Sequence, residues 1–133
     1  MVTVVTLMAL LVAELLPAAR KQRNRMAVVG AREEVAGVFH RARMAAVARG
    51  GATITLRALP PQVRLSAGGE TLLRADLERE YGIELTLSRN RSVVDLHYDA
   101  LGIGRVASQT LIVARGGEEV RLVVSSYGRV RRE

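Results

Sequence analysis

The first nineteen residues form an apolar stretch that is interrupted only near its end, by Glu14 and Pro17. A spanning helix needs ~17–20 apolar residues, so this stretch is close to the required length. A secretory signal peptide would carry its positive charges before the apolar core, whereas here they follow it. A core helix would show a polar face, which this stretch lacks. The pattern therefore predicts a transmembrane helix over about residues 1–19, in which neighbouring helices can satisfy the carbonyl that Pro17 leaves free.

Between Met26 and Arg49 the apolar residues keep the spacing of an amphipathic helix. The predicted buried stripe consists of Val28, Ala31, Val35, Phe39, Ala42 and Ala46. The charged positions expected on other faces are Arg25, Arg32, Glu33 and Arg43. Gly50 and Gly51 follow at once, and glycine is the usual residue at a helix end. Residues 1–50 are therefore predicted to be one long N-terminal helix, apolar in its first half and amphipathic in its second.

From residue 51 onward the apolar period changes to two, which is typical of half-buried strands. The alternating segments are residues 52–57, 62–66, 83–88, 92–97, 106–114 and 120–125. Residues 71–80 are interpreted as a short helix or a polar loop, and the glycine pairs at 68–69 and 116–117 predict turns. Residues 51–133 thus form a predicted antiparallel β domain of five or six strands. The expected fold class is α+β, with the long helix packed on this small domain.

Composition narrows the classes of function. The 133 residues carry a net charge of +7, supplied by 19 arginines and one lysine, and they include no cysteine and only two histidines. Thiolate chemistry is excluded, and His40 and His97 offer little material for a metal or acid–base site. We find no arrangement of a nucleophile and a base. We therefore expect a binding or assembly protein, not an enzyme, with no cofactor and no small-molecule substrate.

Four stretches in order carry a likeness to a known family. They are residues 1–17, residues 41–50 with the strand at 52–56, Tyr98-Asp99-Ala-Leu-Gly102, and residues 123–130 with their Gly128 turn. Together they resemble the GspH/FimT family of minor pilins and pseudopilins over nearly the whole chain. The resemblance implies a single-pass protein of the bacterial inner membrane with an extracytoplasmic β domain. It also implies assembly with other pilin or pseudopilin subunits through the N-terminal helix.

Prepilins of this family begin with a short basic leader that ends in Gly, followed by Phe-Thr-Leu-x-Glu. Met1 stands where the residue after that glutamate would be. We therefore expect the reading frame to begin upstream of Met1. The leader expected upstream of Met1 also decides the topology of the membrane helix. The basic sequence after the apolar stretch would by itself keep the β domain in the cytoplasm. In a prepilin the leader supplies the inner positive charge.

The first basic cluster follows the apolar stretch directly. It contains Arg20, Lys21, Arg23 and Arg25. Basic residues beside a membrane helix attract anionic lipid headgroups, and we interpret the cluster as a headgroup contact in preference to a DNA site. A solvated face of the helix is the plain alternative.

The second basic cluster is the C-terminal tail. Its candidate DNA-binding residues are Arg129, Arg131 and Arg132. Residues 128–131, Gly-Arg-Val-Arg, match a Gly-Arg-x-Arg tail motif of FimT-type members, which are associated with DNA uptake. On an extended strand Arg129 and Arg131 share one face and can contact successive phosphates. The alternative is an exposed terminal strand that arginine keeps soluble.

The sequence therefore favours a structural minor subunit of a type IV pilus or a type II secretion pseudopilus, anchored in the membrane before assembly. The first alternative is a pilus-borne DNA-binding subunit that uses the tail. The second is a cytosolic nucleic-acid-binding module whose apolar start is a core helix. Membrane fractionation distinguishes this last alternative, since it predicts a soluble full-length chain.

Overall fold

The computed structural model describes residues 1–105 and 108–133. Its first element is a single helix, α1, which runs over Val2–Arg49 and includes Pro17. Gly50 ends the helix in the left-handed conformation at φ 81°, and its N–H donates to the carbonyl of Ala46. All six residues of the predicted stripe are buried. The long helix and its amphipathic second half are therefore confirmed.

In the described residues the β domain contains eight short strands, one short α-helix and one turn of 3-10 helix at Ser88–Asn90. The strands and the α-helix are β1 Ala52–Ala58, β2 Pro61–Ala67, β3 Glu70–Asp76, α2 Leu77–Tyr81, β4 Glu84–Thr86, β5 Val93–Tyr98, β6 Gln109–Arg115, β7 Glu118–Val124 and β8 Val130–Arg132. They form two four-stranded sheets, with strand orders β3-β2-β1-β5 and β4-β6-β7-β8. All the pairings are antiparallel. The α+β fold class is confirmed.

Both sheets bury alternate residues against the second half of α1. From the first sheet these include Ile54 and Leu56 of β1, and from the second they include Leu111 of β6 and Leu122 of β7. Alternation puts every second side chain of a strand on one face, so each sheet contributes one apolar layer to a common core. The helix stripe closes this core, which anchors the C-terminal half of α1 to the β domain.

The interpretation of residues 71–80 as a short helix or a polar loop is wrong for its first part. Residues 70–76 form strand β3, and the helix α2 begins only at Leu77. The register with β2 shifts between Leu65, which faces Leu73, and Ser66, which faces Thr71. The extra residue, Leu72, makes a β-bulge, and a bulge interrupts the alternation that identifies a strand from sequence.

The expected count of five or six strands is too low, because β3 and β8 are additional. The segments 83–88 and 92–97 do contain strands, but β4 and β5 belong to different sheets. The chain passes between the sheets through a turn in which Arg89 and Asn90 both have positive φ, 58° and 55°. The beginning of the expected strand 106–114 lies outside the described residues, and β6 is seen from Gln109 onward.

Candidate functional site

The first half of α1 lies outside the packed core. Every residue from 1 to 23 is exposed. This part of the helix includes an 18-residue window with a mean hydropathy of 2.1, which is apolar and long enough to cross a membrane. Residues 2–19 span about 27 Å of helix, near the thickness of a bilayer's hydrocarbon core. Contiguous exposed apolar surface of this extent marks a contact with lipid or with other protein chains.

The basic cluster after this stretch forms a belt around the helix. We call Arg20, Lys21, Arg23 and Arg25 the basic belt, and all four are exposed. In the parts of the chain that the structure describes, the only carboxylate within 4 Å of the belt is that of Glu118, 3.7 Å from Arg25. The other three cations are free to contact an external anion. Their assignment to lipid headgroups stays a prediction.

The β6–β7 hairpin touches α1 at the level of the basic belt. Its tip is Gly116-Gly117, with φ of 54° and 88°, as the glycine pair predicted. A β-carbon on Gly116 would overlap the side-chain amide of Asn24. The tip therefore packs directly against the Asn24 side chain, and it extends the packed part of the molecule to the border of the apolar half.

The C-terminal tail forms strand β8, which pairs with β7 so that Val130 faces Val124 and Arg132 faces Leu122. Residues that face each other across a ladder point to the same side of the sheet. Since Val124 and Leu122 are buried, Val130 and Arg132 point toward α1 and Arg131 points away from it. Arg132 therefore lies on the opposite face of β8 from Arg131, the residue that was expected to share a face with Arg129.

Arg132 is engaged by the helix. Its Nε donates to both carboxylate oxygens of Glu33, at 2.7 and 3.0 Å. This hydrogen bonding lowers the pKa of Glu33 and raises that of Arg132. Arg131 pairs with Glu133, the residue that directly follows β8. Arg129 is exposed, and no carboxylate lies within 4 Å of it in the described ranges 1–105 and 108–133.

Gly128 holds the start of the tail. Its carbonyl accepts a hydrogen bond from the Tyr98 hydroxyl at 3.0 Å and another from Arg43 Nη2 at 3.3 Å. Burial raises the pKa of Tyr98, so its hydroxyl remains a donor at neutral pH. Arg43 is exposed and lies off the buried stripe, as expected, and its guanidinium reaches across to the tail. Tyr127, the residue before Gly128, is 73% exposed.

A second cluster, at the α1–α2 contact, was missed by sequence reasoning. Hydrogen bonding to Glu34 raises the pKa of Tyr81 to about 12. Hydrogen bonding to Glu34 also raises the pKa of Glu80. The Tyr81 ring lies on Gly30, where a β-carbon would be 3.0 Å from its Cε1 atom. A glycine in mid-helix was the available signal, because such a glycine often has a packing reason.

A long helix whose apolar N-terminal half projects from a small two-sheet domain defines a pilin-like fold. The chain is similar to the type IV minor pilin FimU of Pseudomonas aeruginosa strain PAO1, with a TM-score of 0.64 and 20% identity over 80% of this chain and 87% of that one. A second crystal form of FimU gives a TM-score of 0.58 and 21% identity, over 78% and 90% of the two chains.

The minor pseudopilin EpsH from the type 2 secretion system of Vibrio cholerae is also similar. Its TM-score is 0.57 at 11% identity, over 77% of this chain and 92% of that one. No family model and no curated protein matches the sequence. The structural likenesses confirm the pilin-like fold, whereas membership of the GspH/FimT family stays a prediction.

Proposed function

We propose that this chain is a structural minor subunit of a type IV pilus or a type II secretion pseudopilus. The observation that supports the proposal most directly is the exposed apolar half of α1, attached to a domain that is otherwise packed around its own core. A soluble protein would not leave the eleven large apolar side chains of this half in water, since removing a Leu or Val side chain from water is worth about 1.5–3 kcal/mol. The fold that it shares with FimU and EpsH supports the same conclusion.

In this proposal the subunit is a single-pass protein of the bacterial inner membrane with its β domain outside the cytoplasm. Residues 2–19 cross the bilayer before assembly, and the basic belt lies at the headgroup level. On assembly the apolar half leaves the lipid and packs against the helices of other subunits. The same surface serves both states, because lipid tails and apolar helices both accept it without any polar partner. No catalytic step is required.

Fractionation of cells that carry the native gene tests this proposal. We expect the chain to resist carbonate extraction from membranes and to appear among the surface filaments released by shearing. Leu10→Arg should lose both properties, since an arginine at the middle of a spanning helix costs about 2.5–3.5 kcal/mol. Met44→Arg is the matched control, because Met44 lies on the same helix and is 62% exposed, against 59% for Leu10. Recovery of the unaltered chain in the soluble fraction without detergent would contradict the proposal and favour the cytosolic module.

The second candidate is DNA binding by the tail. The observation that favours it is the exposure of Arg129 and Arg131 beside an ordered strand, with Arg129 free of any carboxylate in the described ranges. Arg129→Ala with Arg131→Ala should weaken binding to duplex DNA and reduce the salt slope by about two, one per phosphate contact. Arg132→Ala is the control, because two hydrogen bonds hold the Arg132 side chain on Glu33 of α1, on the face of β8 opposite Arg131. Unchanged DNA affinity in the double variant ends this candidate.

A further inference from the structure

A cleft of about 560 Å³ opens between α1 and the tip of the β6–β7 hairpin. The wall of the cleft that α1 forms changes from apolar to cationic along the helix axis. The side chains of Ala13, Leu16 and Pro17 line its first part, and Arg20 and Lys21 line the next turn. The change from apolar to cationic takes place within about 12 Å, at 1.5 Å per residue.

The opposite wall of the cleft has almost no side chains. It is formed by Gly116 and Gly117, and Gly117 has open space where a β-carbon would be. Glu118 is the acidic residue on this wall, and Arg25 lies 3.7 Å from it. Because Arg25 offsets the charge of Glu118, Arg20 and Lys21 give the cleft a net positive charge.

The order of these surfaces matches one chemical class of ligand. In an anionic phospholipid an acyl chain is followed by a phosphodiester, which is the same order as that of the apolar and the cationic parts of the cleft. A guanidinium binds phosphate oxygens through two N–H donors, and lysine adds a point charge. Arg23, in contrast, belongs to the basic belt but does not line the cleft.

We infer that this cleft is a binding site for one anionic phospholipid. Arg20 and Lys21 contact the phosphodiester, and the acyl chain lies along Ala13, Leu16 and Pro17. The inference rests on the proposed function in one respect, since it requires α1 to be inserted in a bilayer. It goes beyond a diffuse attraction of the basic belt to headgroups, because it assigns binding to two of the four cations and to the hairpin tip that faces them.

The test uses the full chain reconstituted in phosphatidylcholine vesicles with a trace of spin-labelled lipid. Electron paramagnetic resonance measures how strongly phosphatidylglycerol is immobilised by the protein relative to phosphatidylcholine. We expect a selectivity of at least roughly fivefold, which is the factor that a single cation near a membrane surface provides, because two cations contact the phosphodiester. The double variant Arg20→Gln, Lys21→Gln should bring the selectivity close to one, and Arg23→Gln should leave most of it.

Each outcome has a distinct meaning. A chain that does not enter phosphatidylcholine vesicles contradicts the proposed function itself. A chain that enters them without preferring phosphatidylglycerol overturns the lipid site alone. Equal loss in Arg20→Gln and Arg23→Gln single variants would show a diffuse basic surface and no cleft. Inorganic phosphate at constant ionic strength should not abolish the selectivity, because it cannot use the apolar wall, and abolition would assign the cleft to a free anion.

Discussion

The Tyr98 ring occupies the space that a side chain at Gly128 would need. A β-carbon built on Gly128 would lie 2.6 Å from Tyr98 Cε1 and 2.9 Å from both Cζ and the hydroxyl oxygen. Tyr98 is the last residue of β5 in the first sheet, and Gly128 precedes β8 in the second. The two sheets are therefore joined at this end by a ring against a backbone, an approach that only glycine allows.

We expect Gly128→Ala to destabilise the β domain strongly. The variant combines a residue with positive φ, 79°, and a collision with a buried ring. Gly69→Ala is the matched control, because Gly69 has the same φ of 79° and none of the described residues has an atom within 4 Å of its β-carbon position. The control should lose about 1 kcal/mol and Gly128→Ala about 1–3 kcal/mol more. Urea unfolding of the full chain in detergent, followed by circular dichroism, measures both, and equal losses would refute the steric explanation.

The Glu33–Arg132 ion pair should stabilise the chain in a pH-dependent manner. Hydrogen bonding to Arg132 lowers the pKa of Glu33 in the folded state. The contribution of the ion pair to the stability of the fold is therefore complete above the ordinary glutamate pKa of about 4.3. It is lost as the pH falls through the lowered pKa of Glu33 in the folded state. Glu33→Gln should reduce the urea midpoint at pH 7, and the difference from the unaltered chain should vanish in acid.

The magnitude of this effect is small, because both side chains are about half exposed. We expect a coupling below about 1 kcal/mol from a double-mutant cycle with Arg132→Gln at pH 7. The cycle removes effects of each residue on other neighbours, such as Arg32 beside Glu33. If Glu33→Gln lowers the urea midpoint by the same amount at pH 7 and in acid, the ion pair does not act through the charge of Glu33.

The contact between α1 and α2 should respond to pH in the opposite direction. Hydrogen bonding to Glu34 raises the pKa of Glu80 above its ordinary value, so the charged form of Glu80 is disfavoured in the folded state. Glu80→Gln should therefore raise the urea midpoint at pH 7. The gain should disappear as the pH falls below the ordinary glutamate range, where Glu80 is protonated in both states.

Glu78→Gln is the control for this prediction, since Glu78 lies two residues earlier in the same short helix and shares its first turn. It should leave the midpoint nearly unchanged, because Glu78 is not among the groups that shift the pKa of Glu80. Equal stabilisation by both substitutions would mean that the general negative charge of α2 is responsible, and not the proximity of Glu34.

The parts of the fold that could be predicted from the sequence are those with a regular period. The stripe from Val28 to Ala46 gave the buried face of α1, and the glycine pairs located the hairpin turns. Strand β3 was not predicted, because the bulge at Leu72 breaks the alternation of apolar and polar residues. Strand β8 is only three residues long and contains two arginines, so its alternation did not place it among the predicted strands of the sheet, although the tail was considered as an extended terminal strand.

The candidate site was predictable in its composition but not in its contacts. The sequence identified both basic clusters, because charge is visible without any structure. It could not show that Glu33 holds Arg132, since these residues are 99 positions apart and nothing local links them. Nor could it show which face of β8 points toward α1, because this depends on how β8 pairs with β7. Such information is contained in the tertiary fold.

The continuity of α1 also has a geometric consequence. Each residue of a helix advances it by about 1.5 Å and turns it by about 100°. Because one helix includes both the apolar half and the stripe under the β domain, the number of residues between them sets the direction in which that domain faces. Inserting a single residue between Pro17 and Asn24 would swing the whole domain by more than a quarter turn about the helix axis. The orientation of the β domain relative to the apolar half of α1 is thus set by the number of helical residues between them.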